Sequence, residues 1–391
     1  MTNNRRFITI FFQITSICLL IVVGSSTTIH AQKIDKIQGQ TTHLAKEKQH
    51  KKDSLKSKMG KIVPVPNVIS DLNLGYGAVL ALGYLHDKKH TTRKDTPPTV
   101  TAIIGGGTSN GTWLAGIAHS ESFKNDQYRY LGAVGYGSFN LDFYQIGKIN
   151  LTKRPISVNM KGWGTVQRFL FRIANSNFFI GPQYVFGQIE TTLNGSDNKH
   201  PLIDKIRDMF DQHTTFSTLS LFAQIDSRDN TISPIKGVYS GFEIDYNASW
   251  LGASNNYESY DIYGYGYVPI NKWLYSIFHF DFQFSEGDIP FYREPYLNLR
   301  GVPVMRYQGK KTMLLEAQFR GYFYKNWALV AFGGAGKAFN AFSEWGDNKL
   351  IVNYGTGFRF DFKKVYGIRV GADFAWAEDD FGWYISIGTG L

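Results

Sequence analysis

From Thr214 onward, apolar and polar residues alternate with a period of two. That is the spacing of a strand with one face in an apolar medium and the other in a polar one. Leu219, Leu221, Ala223 and Ile225 share one face, against Thr218, Ser220, Gln224 and Asp226. Val238, Phe242, Ile244, Tyr246, Ala248 and Trp250 oppose Glu243, Asp245, Asn247 and Ser249. Phe278, Phe280, Phe282 and Phe284 oppose His279, Asp281, Gln283 and Ser285. Met313, Leu315, Ala317, Phe319 and Phe323 oppose Glu316, Gln318 and Arg320, and Ile368, Val370, Ala372, Phe374 and Trp376 oppose Arg369 and Asp373. In the amino-terminal half the register is weaker. The pattern predicts fifteen strands, near 73–84, 98–107, 111–122, 127–143, 155–172, 177–192, 214–226, 236–250, 257–268, 272–285, 311–324, 326–338, 349–362, 365–376 and 382–391.

A soluble β-sandwich would point its apolar face inward and carry a richly charged outer face. Here the apolar face carries successive Phe and Trp residues over strands long enough to cross hydrocarbon at a tilt. The opposite face is polar and mixed in sign, as a hydrated lumen would be. Backbone groups in lipid need partners, so such a sheet must close on itself. The expected fold is an all-β, transmembrane antiparallel β-barrel. Bacterial barrels favour even strand numbers, which predicts a sixteenth strand between Met59 and Ile69 or within 127–213. Short connections at Pro269-Ile270-Asn271-Lys272, Tyr324-Lys325-Asn326-Trp327 and Lys363-Lys364-Val365-Tyr366 alternate with longer ones at 251–256, 286–310, 339–348 and 377–381. Short periplasmic turns and long outer loops are the barrel norm, so the 286–310 loop faces outward or folds back into the lumen.

Composition refines this picture. The chain is 16% aromatic with 40 glycines, as suits strands facing lipid. Residues 1–31 read as a secretory signal: Arg5 and Arg6, an apolar core from Phe7 to Val23, and Ile29-His30-Ala31 before Gln32. A membrane anchor is the competing reading, since the apolar length permits one. Cys18 lies inside that signal and Ile17 precedes it, where a lipoprotein signal wants a small residue. The mature chain then has no cysteine, and with it no disulfide or cysteine metal site. Residues 32–60 form a lysine-rich linker on the periplasmic side. Of the net charge of +10, the signal supplies +2 and this linker +5 (eight lysines against Asp35, Glu47 and Asp53), leaving +3 on the barrel, residues 61–391. That balance speaks against nucleic-acid binding. The linker either touches anionic lipid head groups or is a solvated tail.

Three stretches resemble the BamA/TamA superfamily of outer-membrane barrels, whose members insert or export proteins, and the resemblance spans about residues 61–391. Pro64-Val65-Pro66 followed by Leu74-Gly75-Tyr76-Gly77 looks like the start of the family's first strand. Asp226-Ser227-Arg228-Asp229-Asn230 with Ser233-Pro234 and Gly237 resembles its periplasmic turn. Leu299-Arg300-Gly301, followed by Arg306-Tyr307, resembles its Leu/Val-Arg-Gly loop. In such proteins that loop tucks into the lumen and its arginine contacts the wall. A buried arginine needs acidic partners. The family's acidic residue on the next strand aligns here with Gln318, and a second aligns with Gly334; Glu316, on the same face as Gln318, is the expected substitute partner for Arg300. The bland alternative is an arginine solvated in an outer loop. The resemblance further implies a soft seam between the first and last strands, to which Gly75, Gly77, Gly388 and Gly390 are assigned; relief of crowding at barrel bends accounts for them equally well. The 29-residue linker leaves no room for the POTRA modules that deliver substrates in the insertases, and the chain ends in Leu391 rather than an aromatic, with Trp383, Tyr384 and Ile385 able to supply that signal.

No catalytic or metal constellation stands out. His279 lies on the polar face without an identifiable serine partner. His86, Asp87 and His90 sit among lysines and an arginine, as a solvated loop would. The glycine runs at 105–107 and 333–336 lie in strand patterns, outside the strand-to-helix setting of a phosphate loop. The sequence is read as a non-enzymatic outer-membrane barrel without cofactor or metal that assists insertion or export of proteins or lipids. Its expected partners are outer-membrane lipids, client outer-membrane proteins and accessory periplasmic factors. The alternative is a passive pore or structural barrel.

Overall fold

Each of the fifteen predicted runs contains a strand among the described residues. The computed structural model describes residues 60–86, 96–146, 149–151, 155–194, 212–230, 233–362 and 368–387. The signal, the linker apart from Gly60, and Asp87, His90, Gly388 and Gly390 lie outside the described residues. In chain order the strands are β1 (Lys61–Asp71), β2 (Gly75–Leu85), β3 (Val100–Thr108), β4 (Trp113–Phe123), β5 (Tyr128–Phe143), β6 (Gln145–Ile146), β7 (Ile149–Asn150), β8 (Ile156–Arg172), β9 (Phe178–Leu193), β10 (Gln212–Asp226), β11 (Gly237–Asn247), β12 (Tyr257–Pro269), β13 (Leu274–Gly287), β14 (Lys311–Tyr324), β15 (Trp327–Phe339), β16 (Ile351–Phe362), β17 (Ile368–Ala377) and β18 (Asp380–Ile387). All but β6 and β7 form one sheet of 16 strands in which each pairs with the next in sequence. β6 and β7 make a small ladder in the connection between β5 and β8.

The sixteenth strand is β1, which the hydrophobic pattern alone left unassigned. It pairs antiparallel with β2, from Lys61 opposite Leu85 to Asp71 opposite Gly75. The sheet curls until β1 lies beside β18. There the Ser70 hydroxyl donates to the Trp383 carbonyl, and Tyr76 stacks on Trp383 at 5.2 Å. Among the described residues no backbone ladder joins β1 to β18. Gly75 and Gly77, assigned to that seam from the sequence, stand one strand inward on β2. The strand expected over 236–250 stops at Asn247, and Trp250 belongs to a short 3-10 turn after it.

The two faces are as different as the barrel argument requires, but not uniformly so. Outside, Leu219, Leu221, Ile225, Phe278, Phe280, Leu315, Phe319 and Phe323 are exposed as a continuous apolar belt, which suits acyl chains and not water. Inside, β10–β17 present the expected polar residues, including Thr218, Glu243, Asp245, Gln318 and Asp373, all buried. The inner wall of β2–β5 and β8 departs from that expectation. Val79, Ala81, Val100, Ala102, Ile104, Phe139, Leu141, Phe143 and Met160 form a buried apolar cluster there, joined by Phe291, Tyr292, Tyr296, Val304 and Met305 of the 288–310 connection. That half of the interior is a packed core rather than a wetted cavity.

Candidate functional site

The 288–310 connection folds back into the barrel and is shaped as a pinched hairpin. Tyr296 bridges Gln308, and the Leu297 amide donates to the Tyr307 carbonyl at 2.9 Å. At its tip the Val302 amide donates to the Leu299 carbonyl at 3.1 Å, a turn through Arg300 and Gly301. Gly301 has φ +88°, a left-handed conformation that glycine alone adopts without penalty. A Cβ there would lie 3.1 Å from the Trp376 carbonyl carbon and 3.2 Å from the Ala377 nitrogen. The tip therefore rests directly on the β17 backbone, and a side chain there would be strained by its φ and tight against that backbone.

Arg300 is fastened at this tip. Its Nη2 donates to Glu316 Oε1 at 2.5 Å, and its Nη1 to Gln318 Oε1 at 2.9 Å and Asp373 Oδ2 at 3.1 Å. The guanidinium lies 3.4 Å over the Phe332 ring, a favourable cation–π position. Asn353 Nδ2 donates both to the Arg300 carbonyl and to Glu316 Oε2, each at 2.9 Å. The Tyr384 hydroxyl accepts from the Gly301 amide at 2.8 Å. Five consecutive strands, β14 to β18, thus each contribute a residue to holding one turn of loop. Arg359 braces Asp373 from the other side at 2.6 and 2.8 Å.

The rest of the hairpin is held by different chemistry on each flank. Leu297, Leu299 and Val302 pack with Leu314, Ile351 and Ala377. Val304 and Met305 enter the apolar core of the amino-terminal strands, and the Val304 carbonyl accepts from Asn73 Nδ2 at 2.8 Å. Arg306 pairs with Asp380, and Tyr307 lies partly buried beside the Leu299 cluster. At the outer shoulder, burial pushes the Glu294 carboxyl up to about 7, with Lys310 drawing it partly back.

The structure brings Arg300 together with both acceptors singled out in the sequence, Glu316 and Gln318. It adds Asp373, Phe332, Asn353, Tyr384 and Asp380, which sequence reasoning did not assign. The second carboxylate is Asp373 on β17; the β15 position expected for it is Gly334. A Cβ at Gly334 would lie 2.6 Å from the Leu315 carbonyl oxygen and 3.0 Å from Glu316 Cβ, so glycine there makes room for the Glu316 side chain. The usable signal was Asp373 itself, the one acid of β17, on its polar face.

The Asp226–Gly237 motif forms a separate turn between β10 and β11. Arg228 Nε donates to Asp226 Oδ1 at 2.9 Å, and its guanidinium covers the Tyr239 ring at 4.2 Å. Asp229 Oδ1 accepts from the Ile235 and Lys236 amides at 3.0 and 3.2 Å, and Asn230 Oδ1 from the Ser233 amide at 2.9 Å. Pro234 is buried beside Ser233, and Gly237 takes φ +114°. Among the described residues these side chains close the turn onto its own backbone. His279 stacks flat on Tyr265 at 4.3 Å, and His86 Nε2 shares a hydrogen bond with Thr101 Oγ1 at 2.9 Å.

No protein-family model and no curated protein matches the sequence. Solved structures do match in shape. BamA from Haemophilus ducreyi lacking POTRA domains 1–3 superposes with a TM-score of 0.57 at 10% identity, over 85% of this chain and 70% of that one. CdiB from Escherichia coli gives 0.55 at 8% identity, over 82% and 61%. CdiB from Acinetobacter baumannii gives 0.52 at 8% identity, over 85% and 60%. The chain spans about three-fifths of the length of the two CdiB chains. At these identities the likeness is one of fold: the chain has the barrel fold of BamA and CdiB.

Proposed function

We propose that this protein is a plugged barrel of the bacterial outer membrane, exported by its amino-terminal signal, that assists the insertion or export of proteins or lipids and catalyses no reaction. The observation that carries this reading is the Arg300 turn, gripped by five strands inside the barrel. A passive pore needs an open lumen, whereas here the hairpin is bonded to one wall and packed into the apolar core of the other. The seam supports the same reading: Ser70 of β1 bonds the Trp383 carbonyl of β18 and Tyr76 of β2 stacks on Trp383, without a β1–β18 ladder among the described residues, so parting them breaks few backbone hydrogen bonds. In this reading the short turns face the periplasm, the partners are outer-membrane lipids, client barrels and accessory periplasmic factors, and nucleic acid plays no part. Single-channel recording of the intact protein and of a variant lacking residues 290–308 tests it. A small, flickering conductance that rises on deletion is expected. A large, steady conductance in the intact protein would make it a pore.

A further inference from the structure

Around and below the Arg300 turn, on the inner faces of β14–β17, four guanidiniums meet three carboxylates. Every carboxylate oxygen is engaged. Glu316 is held by Arg300 and Asn353, and Asp373 by Arg359 and Arg300. Asp361 accepts from Arg369 Nε at 2.7 Å and from the Tyr322 hydroxyl at 2.5 Å. The surplus charge falls on Arg320. Its side chain is 1% exposed, and its Nε, Nη1 and Nη2 have no hydrogen-bond partner among the described residues. Arg369, 3% exposed, leaves its Nη1 equally unmet. Tyr322 links the two: Arg369 Nη2 reaches its hydroxyl at 3.3 Å, and Arg320 lies 5.8 Å from its ring centroid and 5.4 Å from that of Tyr275.

A guanidinium cannot relieve this by giving up its proton at ordinary pH, and a buried charge without an acceptor is among the costliest features a fold can hold. Arg293, also buried with unmet nitrogens, offers an instructive contrast. It lies 4.3 Å over Phe216, and the buried Asp245 carboxylate supplies opposite charge nearby. Around Arg320 stand two further cations, Arg369 and Arg359, and one carboxylate, Asp361, whose oxygens are taken by Arg369 and Tyr322.

We propose that Arg320 and Arg369 form a binding site for a phosphate-type oxyanion at the short-turn end of the lumen, with Tyr275 and Tyr322, both partly exposed, as its cover. A carboxylate presents two oxygens in one plane and suits one guanidinium fork. Phosphate presents three or more oxygens in different directions and can serve two arginines together. The same chemistry is offered by free phosphate and by a phospholipid head group.

The test uses the full-length barrel. In detergent, its thermal unfolding midpoint is followed by tryptophan fluorescence while inorganic phosphate replaces chloride at constant ionic strength. In a second arm, phosphate-free, the protein is reconstituted in vesicles of phosphatidylglycerol or of an uncharged glycolipid. A midpoint that rises by several degrees with inorganic phosphate marks a small-ion site. A rise confined to phosphatidylglycerol marks a head-group site. In both cases Arg320→Met must abolish the response and, in chloride, unfold no lower than the wild type, because an apolar side chain replaces an unmet charge. Arg320→Gln is read the same way if the methionine variant fails to fold. No response to either phosphate source, or the same response in the variants, overturns the proposal.

Discussion

Arg300→Ala is the most direct probe of the latch. Truncation leaves Asp373 with both of its Arg359 bonds, so little of the cost falls there. Glu316 loses its cation and keeps only the Asn353 amide, while remaining 6% exposed. Removing one member of a buried ion pair typically costs about 3–5 kcal/mol, chiefly through the charge left behind. Because the remainder of the hairpin stays packed, that cost appears as a weaker hold on the tip. At about 1.4 kcal/mol per tenfold, the open-to-closed ratio of the plug rises by roughly a hundredfold to a few thousandfold. Closed-state lifetimes from single-channel records measure it. A cycle with Glu316→Ala and the double variant isolates the pair, with a coupling of about 1–3 kcal/mol expected. Wild-type lifetimes in Arg300→Ala, or simple additivity in the cycle, would refute the argument that this ion pair fastens the loop.

Gly301→Ala must bend the turn away from β17, because of both its φ and the 3.1 Å approach; a loss of about 1–3 kcal/mol in plug closure, read by the same lifetimes, is expected, and an unchanged record would rule the contact out. Glu294, in the connection and outside the spanning strands, titrates near 7 in place of the usual 4.5. The folded loop therefore binds more protons than the unfolded one between those values, and the stability present at pH 4.5 is lost as the pH rises to 7, by about 3 kcal/mol at most. Glu294→Gln should flatten the pH dependence of the thermal midpoint between pH 5 and 8, and an identical slope in both proteins would exclude the effect. Pro64→Val with Pro66→Val restores two amide donors to β1; if these point toward β18, the seam gains backbone bonds and the unfolding midpoint rises. A drop in the midpoint would show that the prolines serve the β1–β2 pairing instead.

How legible each strand was depended on what its inner face touches. β10 to β17 alternate because lipid lies on one side and polar groups on the other, as in Phe319 against Gln318 and Arg320. β2 does not: Leu80, Leu82 and Tyr84 face out while Val79, Ala81 and Leu85 face the packed core, so both faces are apolar and the period of two disappears. β1 was hidden for another reason. Pro64 and Pro66 argue against a central strand, yet both sit opposite β2 residues, Leu82 and Leu80, on a strand with only one ladder partner among the described residues. Arg300 and Glu316 were readable because charge on a lumen face requires a partner. Asp373 was harder to assign, because it comes from a strand 57 residues further along the chain from Glu316, a proximity that only closure of the barrel creates.

The hairpin is held by two kinds of interaction that respond differently to disturbance. On the β14–β18 side the grip is directional, and a shift of an ångström breaks the bonds of Arg300 to Glu316 and Asp373 together. On the β2–β8 side Val304, Met305, Phe291 and Tyr296 meet an apolar wall, where contact declines gradually with displacement. Met305 sits there with φ +65° and 0% exposed, a strained conformation for a side chain with a Cβ, so the packing must outweigh a cost of about 1–2 kcal/mol. The directional side also borders the seam, since Tyr384 on β18 holds Gly301 and Asp380 holds Arg306. Displacing β18 from β1 would therefore pull on the directional contacts, while Val65 of β1 belongs to the apolar cluster on the other flank. The loop and the seam thus share β18, the strand that bonds Gly301 and Arg306 on one side and lies beside β1 on the other.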